Sequence, residues 1–329
     1  MKPLNWGIVS TGRICEQFTC DLKYVNGAKA VAVAARRLKD AENFAHRHGL
    51  KKAYEGYQAL FDDVDIDIIY IGTPHTCHFQ QAYDAIKAGK HVLCEKPITI
   101  SVAQMKELSD FARSQGVLLM EAMWTYFLPA IQQAKSWVEQ GRIGKVLHIK
   151  ADFGYPMVYN ENNREYSRAL AGGCLLDMGI YPLAIAGYFL DELTQAKWHV
   201  NSHFAPNGVD DDVTMLASFS DIQLNLATSF RCKLNNYAYI IGEKGYIEIP
   251  NFWQARSCDL FCLDDKVDSF VDARESQGLN YEAQAFTEAV SKGITEHSMM
   301  SHAQSLWLQE QMEAIKIEID VEQQLTHKS

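Results

Sequence analysis

Proline is scarce, at 8 of 329 residues, and nowhere gathers with glycine or serine, so the chain offers no low-complexity linker. It shows no internal repeat either. The densest positive cluster is Arg36-Arg37 with Lys39, against a formal net charge of -10. A nucleic-acid partner needs a basic face, and that class is excluded. The eight cysteines (15, 20, 77, 94, 174, 232, 258, 262) form no CxxC pair and have no histidine at zinc spacing. Reduced, mostly buried thiols are expected, and no metal site. No apolar run approaches the ~18 residues that span a bilayer, which argues against a membrane partner. The opening Met1-Lys2-Pro3-Leu4 enters a strand pattern within a few residues, leaving no room for a secretory segment, so a cytoplasmic protein is expected.

What the chain does contain is alternation. The length suits two domains. Buried runs at residues 6–9, 30–35, 66–71, 92–94 and 117–120 alternate with helical patterns, which predicts a doubly wound parallel sheet over residues 1–122. After the first run, Ser10-Thr11-Gly12-Arg13-Ile14-Cys15 stands where a GxGxxG dinucleotide fingerprint would lie. Ser10 and Cys15 replace its first and third glycines, and Gly12 keeps the middle position, where backbone approaches a pyrophosphate. One glycine after a strand is also what an ordinary strand-helix turn looks like. The second run empties into Arg36-Arg37, where an NAD site usually has Asp or Glu. A guanidinium fork suits a 2'-phosphate, so NADP is expected in preference to NAD, although these residues also fit a solvated helix start. Thr73-Pro74-His75 lies at another strand end and could line ribose and nicotinamide. His78 reads as a helix-start residue rather than an acid or base.

The stretch His91-Val92-Leu93-Cys94-Glu95-Lys96-Pro97 carries the lysine around which a site can be arranged. Residues 92–94 read as a strand buried on both faces, and Pro97 keeps Lys96 extended. Pro97 is also a position that tolerates a cis bond. Ser101 and Gln104 have capping-box spacing and open a helix over residues 101–115. Strand, lysine, tight turn and helix put Lys96 at the carboxyl edge of the sheet, where ligands bind.

Past Trp124 the pattern changes. A helix is expected over residues 129–140, and residues 145–153, 213–219 and 222–230 alternate apolar with polar, as one-faced strands of an antiparallel sheet do. Glu243-Lys244-Gly245 reads as a hairpin turn, and helices are expected over 282–291 and 303–319. Between the strands lies Gly172-Gly173-Cys174-Leu175-Leu176-Asp177-Met178-Gly179-Ile180-Tyr181-Pro182. Asp177 and Tyr181 share a face if the segment is helical, and Pro182 must kink it or sit in its first turn. By spacing alone this reads as a surface helix with a solvated aspartate and a half-buried tyrosine.

Taken together, Gly7-Ile8-Val9-Ser10-Thr11-Gly12-Arg13-Ile14, Glu95-Lys96-Pro97 and the Gly172-Gly173 to Tyr181 stretch resemble the glucose-fructose oxidoreductase, inositol dehydrogenase and rhizopine catabolism (Gfo/Idh/MocA) family, in matching order over nearly the whole chain. Met120-Glu121-Ala122-Met123-Trp124-Thr125, Ser10 and a tyrosine at 181 are similar to its dihydrodiol dehydrogenase branch, which includes NADP-dependent D-xylose 1-dehydrogenases. The resemblance implies an α/β chain, with a Rossmann domain over 1–122 and an α+β domain with an open, largely antiparallel sheet over 123–329, that forms homodimers through that sheet. It implies Lys96 and Tyr181 as catalytic groups with Asp177 beside them. Trp124 and Phe153 become substrate contacts together with Asp177 and Tyr181. The residues expected around the cofactor are Ser10, Thr11, Gly12, Arg13, Ile14, Arg36, Arg37, Thr73, Pro74, His75, His78, Glu95 and Lys96. The expected reaction moves a hydride between nicotinamide C4 and a carbinol or hemiacetal carbon of a small sugar, polyol or cyclic diol, with no metal. The alternatives are a keto-sugar or dicarbonyl reductase, or a catalytically silent cofactor-sensing regulator like a galactose repressor of this architecture. Keeping both Lys96 and Tyr181 favours the enzyme.

Overall fold

The computed structural model describes residues 3–190 and 196–326. The chain divides into two compact units, Met1–Trp124 with Arg274–Leu306, and Thr125–Ala273 with Trp307–Ser329. The first is built on β1 (Leu4–Val9), β2 (Ala28–Ala35), β3 (Lys52–Glu55), β4 (Ile68–Ile71), β5 (His91–Glu95) and β6 (Leu119–Ala122). Between them run α1 (Arg13–Asp21), α2 (Leu38–His48), α3 (Gln58–Phe61), α4 (His75–Lys87) and α5 (Val102–Gln115). All strand pairs are parallel, in the order β3-β2-β1-β4-β5-β6. This is the expected doubly wound sheet, whose order reverses between β1 and β4. Every side chain of β4 is buried, which is why its sequence is a continuous apolar run rather than an alternating one. Ser101 Oγ accepts the Gln104 N–H at 3.3 Å and starts α5, one half of the expected capping box.

The second unit contains α6 (Pro129–Glu139), β7 (Val146–Gly154), α7 (Ile180–Phe189), β8 (His199–Phe204), β9 (Asp210–Phe219), β10 (Ile222–Ser229), β11 (Tyr237–Gly242), β12 (Tyr246–Pro250), β13 (Ser257–Cys262) and β14 (Asp265–Val271). The strands form one open sheet in the order β14-β13-β12-β11-β7-β10-β9-β8, antiparallel except where β7 pairs with β10. The alternation does what it predicts. Ile149, Ala151 and Phe153 of β7 and Val213, Met215, Ala217 and Phe219 of β9 are buried, on the face against which α7 packs. The same period leaves Tyr237, Tyr239 and Tyr246 half-buried on the opposite face. The hairpin β13–β14 and the strand β8 escape the sequence reading, because β8 and β14 are edge strands with few buried side chains to mark them.

Residues 274–306, which the sequence division assigns to the second domain, pack with the first unit. They include α8 (Leu279–Ser291) and the first turn of α9 (His302–Thr326). Phe286 of α8 packs 5.5 Å from Trp6 of β1, and a buried carboxylate fixes the start of the helix. Asp21, at the end of α1, accepts the N–H groups of Gln277, Gly278 and Leu279 at 3.0, 2.9 and 2.9 Å. A negative charge on unpaired amides at a helix start is a favourable anchor, and it recruits α8 from 258 residues away in sequence. The apolar run Arg168–Phe189 is long enough and apolar enough to pass as a membrane span by length and composition, contrary to the sequence expectation. It is 67% buried within the protein and is broken into a 3-10 turn, a π-helical turn and α7.

Glu282 of α8 is fully buried, and neither carboxylate oxygen has a hydrogen-bond partner among the described residues. Burial, reinforced by the charge of Glu95, pushes its carboxyl well above the ordinary range. A proton held more tightly in the folded state stabilises the fold at low pH, and that stability is lost as pH rises towards the folded value, at up to about 1.4 kcal/mol per pH unit. Glu282→Gln therefore raises Tm over wild type by a margin that widens from pH 5 to pH 8, measured by differential scanning fluorimetry. A constant or narrowing margin would contradict a neutral buried carboxyl.

Candidate active site

The carboxyl edge of the parallel sheet gathers three loops. After β1, Ser10 takes a φ of 97°, the left-handed region that glycine would occupy without strain, and its Oγ accepts the Gly12 N–H at 3.1 Å. The serine thus rebuilds with a side chain part of the turn that the missing first glycine would make. A Cβ on Gly12 would meet nothing nearer than Ser10 Oγ at 3.4 Å, so the protein itself leaves the face of this residue open. The N-terminus of α1 follows directly, with its unpaired amides. An open glycine face leading into a helix start fits a pyrophosphate.

Cys15 stands in place of the third glycine, and its space is found elsewhere. Its thiol points at the Val9 and Gly72 carbonyls, 3.5 and 3.7 Å away. A Cβ on Gly72 would lie 2.5 Å from that sulfur, so the close approach of helix to strand has moved from the helix to the end of β4. Burial pushes the Cys15 thiol up, and it is a packing group. Arg36 and Arg37 are exposed at the end of β2. Arg37 is bonded to Asp40 at 2.6 Å, and the charge of Arg36 acts on the half-buried Tyr57 hydroxyl, holding back the rise that burial gives it.

Beyond β4, the Thr73 hydroxyl donates to Gln81 Oε1 at 2.6 Å, Pro74 caps α4, and His75 is buried at its first position. His78 is fully buried. Its ring nitrogens lie 2.8 Å from the carbonyl oxygens of Thr73 and Pro97, so the imidazole bridges the β4 and β5 loops rather than facing outward. The Lys96–Pro97 bond is cis. Two buried carboxylates flank Lys96. Glu95 accepts the Tyr70 hydroxyl at 2.5 Å, and Glu121, from the neighbouring strand β6, accepts the Ile98 N–H at 3.0 Å. Burial pushes Glu121 up to about 7; Ser305, the Ile98 amide and the Lys96 charge oppose that rise.

The second unit carries the other candidates. A π-helical turn, Leu175–Gly179, runs straight into α7 and places a widened turn around Asp177. Pro182 is the third residue of α7, directly after the π-helical turn. Neither half of the surface-helix reading survives. Asp177, with its side chain only 14% exposed, is bonded to Arg164 Nη2 at 2.8 Å. Tyr181 is buried, with Phe153 edge-on at 5.5 Å and Trp253 stacked on Phe153 at 4.1 Å. Trp253 is held from a 3-10 turn after β12, where its carbonyl accepts the Thr125 hydroxyl at 2.9 Å.

Within the first unit the structure brings together the Ser10 to Ile14 loop, Thr73 to His78 and Glu95-Lys96, with Trp124 half-buried at the unit's end. Within the second it packs Tyr181 against Phe153 and pairs Asp177, four residues earlier, with Arg164. Sequence reasoning missed Glu121, Tyr70, Arg164 and Trp253. Only Trp253 left a signal, as an aromatic pair with Phe252 after the Pro250-Asn251 break. Among the described residues, no group of three or more His, Cys, Asp or Glu is placed to hold a metal ion.

Comparison with known proteins agrees with both halves. Residues 4–123 match a model described as an oxidoreductase family with an NAD-binding Rossmann fold, and residues 131–248 match the GFO/IDH/MocA C-terminal domain. A trans-1,2-dihydrobenzene-1,2-diol dehydrogenase of Xenopus laevis is 35% identical over 310 residues, covering 92% of this chain and 93% of that protein. The Homo sapiens protein of the same name is 34% identical over 328 residues, covering 97% of each. Among solved structures, KijD10, a 3-ketoreductase from Actinomadura kijaniata in complex with NADP and TDP-benzene, superposes with a TM-score of 0.85 at 26% identity, covering 96% of this chain and 98% of that one.

The open face of Gly12 gives a clean test. Gly12→Ala leaves Tm unchanged, since its φ of -71° and its surroundings accept a methyl group. The same methyl intrudes on a bound pyrophosphate and weakens reduced dinucleotide binding by about tenfold or more, read by fluorescence titration. Wild-type affinity would remove this loop from the cofactor site.

Proposed function

The chain belongs to the Gfo/Idh/MocA oxidoreductase family, and from that premise we propose that it is an NADP-preferring dehydrogenase of small sugars, polyols or cyclic diols. The observation that carries the reading is the placement of Lys96, a cation at the carboxyl end of β5, flanked by Glu95 and Glu121 and beside the loops of the sheet's reversal point. Nicotinamide, when bound, supplies the hydride acceptor at C4. Ser10, Thr11, Gly12, Arg13 and Ile14 would hold the pyrophosphate, Arg36 and Arg37 would answer the 2'-phosphate, and Thr73, Pro74 and His75 would line the ribose. His78 serves that site from behind, by tying two of its loops together.

Tyr181 takes the proton of the substrate hydroxyl as the hydride leaves the same carbon. A free phenol keeps its proton to about pH 10, so it needs a neighbouring cation to act near neutrality. Lys96 is the group we assign to supply that charge. Asp177 orients the hydroxyl, and the aromatic wall of Phe153 and Trp253 offers a flat apolar face to the CH side of a sugar ring or to a diene diol. Trp124 is a further substrate contact. The dihydrodiol dehydrogenases and the NADP-bound ketoreductase support this choice of substrate class and cofactor. The unbridged cysteines support a reducing, cytoplasmic setting.

The half-buried aromatic ladder Tyr237, Tyr239, Tyr246 and Phe261, with Tyr246 and Phe261 stacked at 4.7 Å, supports a homodimer formed through the outer face of the second sheet. Light scattering then gives twice the 37.2 kDa chain mass, and a monomer mass at micromolar concentration would exclude it.

A screen of NADP reduction across pentoses, hexoses, inositols and cyclic diols identifies a substrate, and silence across the panel would refute the reading. On that substrate Tyr181→Phe lowers turnover by about 100-fold or more while cofactor still binds. Lys96→Met damages turnover and cofactor affinity together. Near wild-type turnover in Tyr181→Phe would remove the tyrosine from the chemistry.

A further inference from the structure

The segment between β7 and α7 is pinned far more tightly than its polar composition suggests. Met157 N–H donates to the Phe230 carbonyl at 2.7 Å, and the buried Tyr166 reaches back so that its hydroxyl donates to the Met157 carbonyl at 3.1 Å. The Tyr166 ring packs 5.5 Å from Phe230, and its own carbonyl accepts Asn207 Nδ2 at 2.7 Å. The short turn Arg164–Tyr166 is therefore fixed at its inner end.

Gly172-Gly173 fixes the other side. Their N–H groups donate to the carbonyls of Ser167 and Glu165, both at 2.9 Å. A Cβ at 172 would lie 2.6 Å from Glu165 O, 2.8 Å from Ser167 N and 2.9 Å from Arg164 O, all backbone atoms that have nowhere to go. At 173, φ is 135° and a Cβ would fall 2.2 Å from Asp210 Oδ1. Only glycine at both positions lets the arginine-bearing turn lie on the start of the segment that carries Asp177 and Tyr181. The result of that contact is the bond from Arg164 Nη2 to Asp177 Oδ1, 2.8 Å long, between side chains 36% and 14% exposed. Asp177 sits in a π-helical turn, whose wider winding constrains a side chain less than an α-helix does, and a planar guanidinium on one oxygen sets the plane of the carboxylate.

We infer that Arg164 is a positioning residue for the redox reaction: it holds the Asp177 carboxylate in the orientation that receives the substrate hydroxyl, and Gly172-Gly173 are glycines so that Arg164 can reach it. This rests on the sugar or diol dehydrogenase reading above. Arg164, which also lies 3.7 Å from Glu165, acts through Asp177. Its effect therefore falls on the chemical step and leaves cofactor binding, a property of the first unit, alone.

The test is steady-state kinetics of Arg164→Ala and Arg164→Lys on the substrate found in the screen. Arg164→Ala lowers kcat/KM by about 30-fold, mostly in kcat, with NADPH affinity unchanged and Tm within about 3 °C of wild type. Guanidinium at about 20 mM restores part of the loss, because it supplies the same charged fork, and Arg164→Lys falls between alanine and wild type. Wild-type kcat/KM in Arg164→Ala would overturn the inference. So would a loss that neither guanidinium nor lysine relieves, since that marks a merely structural arginine. Should Arg164→Ala fail to fold, Arg164→Lys carries the decision: intermediate kcat with unchanged NADPH affinity supports the inference, and wild-type kcat overturns it. A wild type that reduces NADP with no member of the panel would refute the dehydrogenase reading and this inference with it, whereas an active wild type with an indifferent Arg164→Ala would refute this inference alone.

Discussion

A lysine at the edge of a buried parallel sheet keeps a fixed position only if its charge is answered where water is scarce, and here two carboxylates answer it. Glu95 precedes Lys96 in β5 and is tied to Tyr70; Glu121 stands on the adjacent strand and holds the turn through the Ile98 amide. Burial drives the Glu121 carboxyl towards neutrality, raising it to about 7. The Lys96 charge, with the Ser305 and Ile98 hydrogen bonds, opposes that rise at Glu121. The site on the first unit thus places buried acidic groups at the end of a sheet whose central strand β4 is buried along its whole length. His78, bridging the Thr73 and Pro97 carbonyls, makes the β4 and β5 loops one mechanical piece.

The second unit solves a different problem, presenting polar groups from a segment apolar enough to resemble a membrane span. The π-helical turn and Pro182 break the regular winding there, and irregular turns of this kind are common where side chains must be aimed. Asp210 anchors the start of the segment. It is half-buried, its carboxylate accepts the Leu175 N–H at 2.8 Å, and its acidity is weakened to about 6 chiefly by loss of hydration. Against Asp210 and the Arg164 turn, the two glycines leave room for nothing larger than hydrogen.

Much of this was legible in the sequence, for identifiable reasons. Continuous apolar runs marked β4 and β5 because both faces of those strands are covered, and alternation marked β7, β9 and β10 because only one face is. The damaged fingerprint was readable as a cofactor loop, but its repair was not: the close approach transferred to Gly72 links residues 57 apart in sequence. Glu121 was invisible as part of the lysine site because strand adjacency, not sequence distance, places it there. The return of α8 to the first unit was hidden for the same reason, since its partners, Asp21 and Trp6, lie 258 residues or more away in sequence. Arg164 lay in a polar loop that no periodicity reaches.

The central proposal is that Lys96 and Tyr181 serve one reaction, and a double-mutant cycle tests it most directly. With kcat measured for Lys96→Met, Tyr181→Phe and the double variant on one substrate at saturating NADP, the account predicts that the double variant is no slower than the worse single variant, because removing either partner already abolishes the ammonium-assisted phenol. Losses that multiply would show that the two residues act independently and would contradict it.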